Sequence, residues 1–276
     1  MLTPIKNYPA LIHKQKRQKT LIISDLHLGW ELNLIQKGIH IPSQTQKIQD
    51  ELLQLIDITE PNKLIILGDV KHTIARAGLV EWQDIPKFFK AIKTKVDKIE
   101  IIRGNHDGNL EPLLEPTIQL HPSSGIASNA VGLFHGHTWP AKQLLECTTL
   151  VMGHVHPTIS FRDRIGFRIT SPVWVKAKCD AKKLADDFLR RRRPKSNTKQ
   201  TSTPEKRQIA NPKVKQFLIM PCFNNFLRGR AINKKQAGKS YRGPILRSQS
   251  TKMEAAEIYL LDGTFLGSIK QLRGMG

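Results

Sequence analysis

The chain has 276 residues, 39% of them hydrophobic and 24% charged, a globular balance that excludes wholesale disorder and collagen-like repeats. No apolar run approaches the roughly 18–20 residues that span a bilayer, and the basic N-terminal stretch lacks the apolar segment and cleavage site of a secretory signal. The 44 Lys and Arg against 23 Asp and Glu leave a net charge of +21.

That charge is concentrated. Residues 1–20 hold five basic side chains and no acid, and residues 176–215 hold fourteen basic and four acidic ones. Such tracts attract polyanions by releasing their counterions; a solvated tail is the alternative for the same residues. Cys147, Cys179 and Cys222 form no CxxC pair, which argues against a disulfide framework and a Cys-type zinc knuckle and for a reducing, cytoplasmic setting.

In chain order, short apolar runs bounded by turn residues predict buried strands at Thr20–Ser24, Lys63–Leu67, Ile99–Arg103, Val131–Phe134 and Thr149–Met152. Between the first two, Ile48, Leu52, Leu55 and Ile56 recur at helical spacing after Ser43, a candidate N-cap, and before Pro61. Trp82, Ile85, Phe89 and Ile92 predict a second helix. This alternation reads as an α/β fold with at least one largely parallel sheet. From Ala181 to Lys215, large apolar residues thin out around Arg190–Arg193, which reads as a disordered basic insertion. Strand signals return at Gln216–Met220, Ile258–Leu261 and Thr264–Ile269, with Asp262-Gly263 as a hairpin turn between the last two. The expected organisation is a core over 1–180, an insertion over 181–215, and strands over 216–276 that complete the same domain.

Metal-competent side chains follow the predicted strands. Asp25-Leu26-His27 follows the first, Gly68-Asp69 the second and Gly104-Asn105-His106-Asp107 the third; His135-Gly136-His137 follows the fourth and Gly153-His154-Val155-His156 the fifth. Ligands of open α/β sheets gather at the carboxyl ends of strands, where the loops converge, so five such loops in order point to one shared site. Mixed imidazole and carboxylate donors suit manganese, iron or zinc better than magnesium or calcium. A carboxylate can bridge two cations, and two cations about 3.5–4 Å apart can clamp an in-line displacement at phosphorus.

The ordered set D-x-H, G-D, G-N-H-D, H and G-H-x-H resembles the calcineurin-like metallophosphoesterase family. The segments SDLHLGWE, GDVKH, RGNHDG, FHGHTWP and MGHVHP, with PCFNNFLRG and EIYLLDGTFLGSIKQLR further on, are similar to its archaeal SbcD-related group. The resemblance implies a four-layer sandwich of two mixed β-sheets flanked by helices. It also implies two divalent transition-metal ions, manganese favoured, with iron or zinc as alternatives. One ion would be held by Asp25, His27, Asp69 and His156, the other by Asp69, Asn105, His135 and His154. His106 would contact the scissile phosphate and protonate the leaving oxygen, with Asp107 holding its ring. The implied activity is hydrolysis of a phosphodiester, DNA or RNA foremost, by in-line attack of a metal-bridging hydroxide. Nucleotides or small phosphoesters are the alternative substrates, and a non-catalytic scaffold on the same fold is a further reading.

Other residues stay open. His137 could exchange roles with His135, and His72 could reach the site or pack its own loop. Lys71 and Arg103 could meet phosphate or be salt-bridged, while His13, His40 and His121 have no motif context. Cys147 and Cys179 read as small buried hydrophobes. Nucleic acid is a plausible partner through the basic tracts, whereas a membrane is not expected. No P-loop is present, so an ATP-driven step would belong to a separate helicase or ATPase chain.

Overall fold

The computed structural model describes residues 1–35, 37–39, 41–74, 78–191, 209, 211–227, 229–234 and 243–274. The first sheet consists of β1 (Leu2–Pro4), β2 (Leu11–Gln15), β3 (Gln18–Ile23), β4 (Lys63–Ile66), β5 (Lys98–Ile102) and β6 (Gln119–His121), hydrogen-bonded in that order. β1, β2 and β3 pair antiparallel, and β3 to β6 pair parallel. The crossovers between parallel strands carry α1 (Leu32–Ile35), α2 (Thr45–Thr59) and α3 (Leu79–Lys93).

The second sheet is built from β7 (Ile126–Ser128), β8 (Val131–Phe134), β9 (Thr149–Met152), β10 (Thr158–Arg162), β11 (Arg168–Lys178), β12 (Gln216–Ile219), β13 (Glu257–Leu260) and β14 (Phe265–Ser268). Its order is β14-β13-β11-β12-β9-β8-β7; off this path β10 pairs with β11, and its Thr158 bridges to Ala231. β8, β9 and β12 run parallel, and the remaining pairs are antiparallel.

The apolar runs are continuous because both faces of each sheet are covered. Ile22, Ile65 and Ile102 pack with Leu133, Val151 and Trp174 between the sheets. Their neighbours Leu21, Ile23, Leu64 and Ile66 turn the other way, onto Leu52, Leu55, Phe88 and Phe89 of α2 and α3. Outside the second sheet, α4 (Ala181–Arg191) and α5 (Ile269–Arg273) bury Leu184, Phe188, Ile269 and Leu272. The architecture is a four-layer sandwich of two mixed sheets flanked by helices. Among the described residues, no helix is long and apolar enough to cross a membrane.

Four expectations are corrected. The basic N-terminal stretch is no tail, because Leu2–Pro4 and Leu11–Gln15 are the paired strands β1 and β2, with Leu11 and Ile12 buried. The insertion expected over 181–215 begins as a helix whose Leu184, Ala185 and Phe188 are buried, and Ile209 and Val214 are buried too; residues 192–208 and 210 of it lie outside the described residues. The β10–β11 hairpin carried no sequence prediction. Ser268 caps α5 through Gln271 N–H, so Ile269 opens a helix and does not end a strand. Ser43 is displaced by one residue from the N-cap, which is Gln44, although Ser43 Oγ still accepts from Thr45 N at 3.3 Å.

Candidate metal centre

The parallel strands β3, β4 and β5 of one sheet and β8 and β9 of the other all end at the same edge of the sandwich. The loops that leave them carry the expected residues. Five of these, Asp25 (φ 60°), His27 (φ 45°), Asp69 (φ 50°), His154 (φ 67°) and His156 (φ 46°), sit in the left-handed region. That conformation costs a non-glycine residue about 1 kcal/mol or more, and clusters of such residues mark functional sites. Here it turns each side chain back over the strand end. Glycine supplies room where two loops touch: a Cβ on Gly153 would come 2.5 Å from Asp25 Oδ2, and one on Gly104 would collide with Asp69 Oδ1.

Among the described residues, three groups of possible ligands have donor atoms within 4.8 Å of one another, and two of them, Asp25, His27 and His156, and Asp69, His135 and His154, consist wholly of expected ligands. Asp69 joins them. Its Oδ2 lies 3.5 Å from His27 Nε2 and 3.3 Å from His135 Nε2, while Oδ1 accepts from His106 N at 2.8 Å. Asn105 Oδ1 is 3.2 Å from His135 Nε2, which places Asn105 beside the second group. His156 Nε2 is 3.2 Å from Asp25 Oδ1 and 3.3 Å from His27 Nε2. All seven residues predicted as ligands therefore meet in one crevice.

His135 is fully buried, and its Nδ1 donates to Leu67 O at 2.7 Å, which leaves Nε2 to face Asp69. A hydrogen bond from the remote ring nitrogen is how proteins orient a ligating imidazole. His137 lies behind it, 5.2 Å between ring centroids, with Nδ1 buried and without a hydrogen-bond partner among the described residues. The geometry thus puts His135, and not His137, with Asp69.

Burial holds the His27 imidazole down at about 3 and that of His154 at about 4, so both are neutral at pH 7 with a lone pair to give. For His135, burial also acts downward, but the Asp69 carboxylate outweighs it and lifts the ring to about 9. His156 is raised in the same way to about 11, burial being overcome by Cys222 and Asp25 beside it. In a metal-free chain these shifts would set imidazolium against carboxylate at His135–Asp69, where both are buried, and at His156–Asp25, where the ring is partly exposed. Convergent buried carboxylates and imidazoles of this kind fit divalent transition ions.

The GNHD loop departs from expectation. Asp107 does not touch the His106 ring. Its Oδ1 accepts from Val70 N at 2.8 Å and Lys71 N at 3.4 Å, and its Oδ2 from Gly104 N at 2.8 Å. It ties the loop after β5 to the loop after β4, because three buried N–H groups there need an acceptor. The His106 ring is held instead through Nδ1, which donates to the carbonyl of His72.

His72 itself turns to the crevice and groups with His27 and His106. Lys71 is buried and donates from Nζ to the carbonyls of Thr73 and Ile74; Arg103 pairs with Glu111. Both are thus engaged by groups of the protein itself. His13 and His121 are engaged with Gln15 and Glu100, and His40 lies outside the described residues.

Two supports went unread in the sequence. Glu81, fully buried, accepts from His72 N, Thr73 N and Gly78 N and shapes the loop that carries His72. Its signal was a Glu in the first turn of a helix. Cys222 Sγ donates to Asp25 O at 3.0 Å, and Asn224 Nδ2 to Leu26 O at 2.8 Å, so the PCFNN segment braces the DLH loop from behind. No local pattern could have shown that.

A comparison with curated proteins finds no match. Among solved structures, the chain is similar to a nuclease, MPE, from Pseudomonas putida, at 19% identity and TM-score 0.51, over 96% of this chain and 100% of that one. It is also similar to YfcE, a phosphoesterase from E. coli, at 22% identity and TM-score 0.34, over 52% of this chain and 73% of that one. The profile of the calcineurin-like phosphoesterases matches residues 18–187. That match spans more than half of the sequence and every strand-end loop of the crevice, so the chain belongs to the calcineurin-like phosphoesterase family and is a hydrolase acting on ester bonds.

Proposed function

We propose that this chain is a dinuclear phosphodiesterase acting on DNA or RNA, as the likeness of its segments to the SbcD-related group implies. The observation that carries the dinuclear reading is the position of Asp69 Oδ2, within 3.5 Å of one imidazole from each ligand group. Asp25, His27, Asp69 and His156 would hold one ion and Asp69, Asn105, His135 and His154 the other. When bound, such a pair activates a water and withdraws charge from the phosphoryl oxygens, and manganese suits the mixed donor set.

The chain's own residues do the rest. The Nδ1–H of His106 is committed to the His72 carbonyl, so Nε2, 4.0 Å from Asp69 Oδ2, is the atom left to give a proton to the leaving oxygen. His72 and His106, both partly exposed, line the mouth where the phosphate enters. The two basic tracts, and the shared fold of a nuclease, support a nucleic-acid substrate over a small ester. The test sets manganese-loaded protein side by side on single-stranded DNA, RNA, cyclic nucleotides and an aryl phosphodiester. The expected result is the highest kcat/KM on a polynucleotide; the highest on a cyclic nucleotide would overturn the substrate assignment.

A further inference from the structure

The β10–β11 hairpin projects from the edge of the molecule that carries the metal centre. β10 starts two residues after His156, and Val173 N bonds back to Pro157 O at 3.0 Å. β11 pairs with β12 only as far as Val175↔Ile219 and with β13 as far as Val173↔Leu260. From Pro172 back to Arg168 it has left the sheet and, among the described residues, pairs only with β10. Four residue rises of about 3.3 Å carry the tip roughly 13 Å beyond the level of Thr158. The base is braced: Ile159 is buried, and Asn233 bonds both the N–H and the carbonyl of Ser160, at 3.1 and 2.9 Å.

The tip has an unusual surface. Every residue from Arg162 to Ile169 is exposed, including Ile165 at 94%, Phe167 at 69% and Ile169 at 55%. The turn that presents them is fixed by Asp163, whose Oδ1 accepts from Ile165 N at 3.0 Å and Phe167 N at 2.7 Å. Asp163 is the single acid between residues 158 and 172, against Arg162, Arg164 and Arg168, and its carboxylate is already engaged by backbone. Arg168 is pre-aligned by Nε donating to Ser160 Oγ at 2.9 Å. A preorganised turn that joins cations to an exposed aromatic ring suits an unpaired polynucleotide, which offers phosphates to the guanidinium forks and base faces to the ring. A duplex keeps its base faces stacked and would leave Phe167 unmatched.

We propose that the tip of this hairpin is a strand-binding arm for single-stranded nucleic acid. Arg162, Arg164 and Arg168 take the phosphates and Phe167 stacks on a base, beside the centre that cuts the strand. The arm rests on the phosphodiesterase reading for its purpose, but binding tests it separately from turnover.

The full chain is titrated in chelator against a labelled 30-residue oligothymidylate over a series of salt concentrations, with Phe167→Ala and the double variant Arg162→Gln/Arg164→Gln. Phe167→Ala should weaken binding about tenfold at unchanged salt slope. The double variant should flatten the slope of log K on log salt by about 1.4, at ~0.7 per single-strand phosphate contact. With manganese, turnover of the 30-mer relative to an aryl phosphodiester should fall about tenfold for Phe167→Ala, since the smaller ester has no base to stack. Affinity for the 30-mer unaltered in both variants overturns the arm. So does a loss seen only when the same variants are sedimented with phosphatidylserine vesicles, which would make the tip a membrane contact. If the native chain cleaves neither substrate while Phe167→Ala still weakens binding, the arm stands and the phosphodiesterase reading falls.

Discussion

Asp69 and His135 concentrate the consequences of single substitutions. His135→Ala removes a fully buried ring from beside Asp69 Oδ2 and Asn105 Oδ1; metal content by mass spectrometry should fall toward one ion per chain, and phosphodiester hydrolysis by roughly a hundredfold or more. His137→Ala, which leaves that cluster intact, should keep both ions. Metal loading should also release protons. His135 at about 9 and His156 at about 11 both carry a proton at pH 7 in the metal-free chain, and a ligating imidazole must be neutral. Calorimetry in buffers of different ionisation enthalpy should count about two protons released per chain at pH 7, and fewer as pH climbs through the His135 value. The GNHD pair separates by phenotype. His106→Ala should slow esters with poor leaving groups most, whereas Asp107→Ala strands three buried backbone donors. The latter should cost about 3 kcal/mol in denaturant unfolding without steepening the dependence on leaving group. The residue types at this scale were legible, because the chemistry demands Asp, His and Asn at strand ends. The left-handed backbone and the true partner of Asp107 were not, since both depend on how two loops meet.

At the scale of the element, α4 shows how composition can hide periodicity. Leu184, Ala185 and Phe188 stand at i, i+1 and i+4, a helical face, yet they sit among four basic residues and two acids. The pattern of burial follows the face and not the charge. Phe188 meets the Trp139 ring edge-on at 6.0 Å between centroids, and Arg191 lies over the same ring. Phe188→Ala should therefore cost about 3–5 kcal/mol by chemical denaturation, in the range of buried aromatic truncations. A loss under 1 kcal/mol would return α4 to the status of a solvated appendage. The β10–β11 hairpin escaped sequence reading for a different reason: its tip mixes three arginines and Asp163 with Ile165, Phe167 and Ile169 around Gly166, so neither a period of two nor an apolar run marks it.

For the whole molecule, β12 is decisive. It comes after the basic stretch in sequence but lies between β9 and β11 in space, so the second sheet cannot close until the chain has returned. A chain ending at Arg191 would leave β9 and β11 with unpaired inner edges and expose Leu150, Val175 and Ala177. It should show non-cooperative melting by circular dichroism and bind a hydrophobic dye, where the full chain melts in one transition. The sequence by itself determined the strands that end at the crevice, the order of the loops and the kinds of side chain they deliver, because local period and ligand chemistry are written in neighbouring residues. Only the tertiary structure decided that Asp107 ties two loops together and leaves the His106 ring to the His72 carbonyl, that PCFNN props the first loop, and that an arginine-flanked hairpin stands beside the centre. Those facts depend on contacts between segments up to about two hundred residues apart, and no local preference of the chain encodes such a meeting.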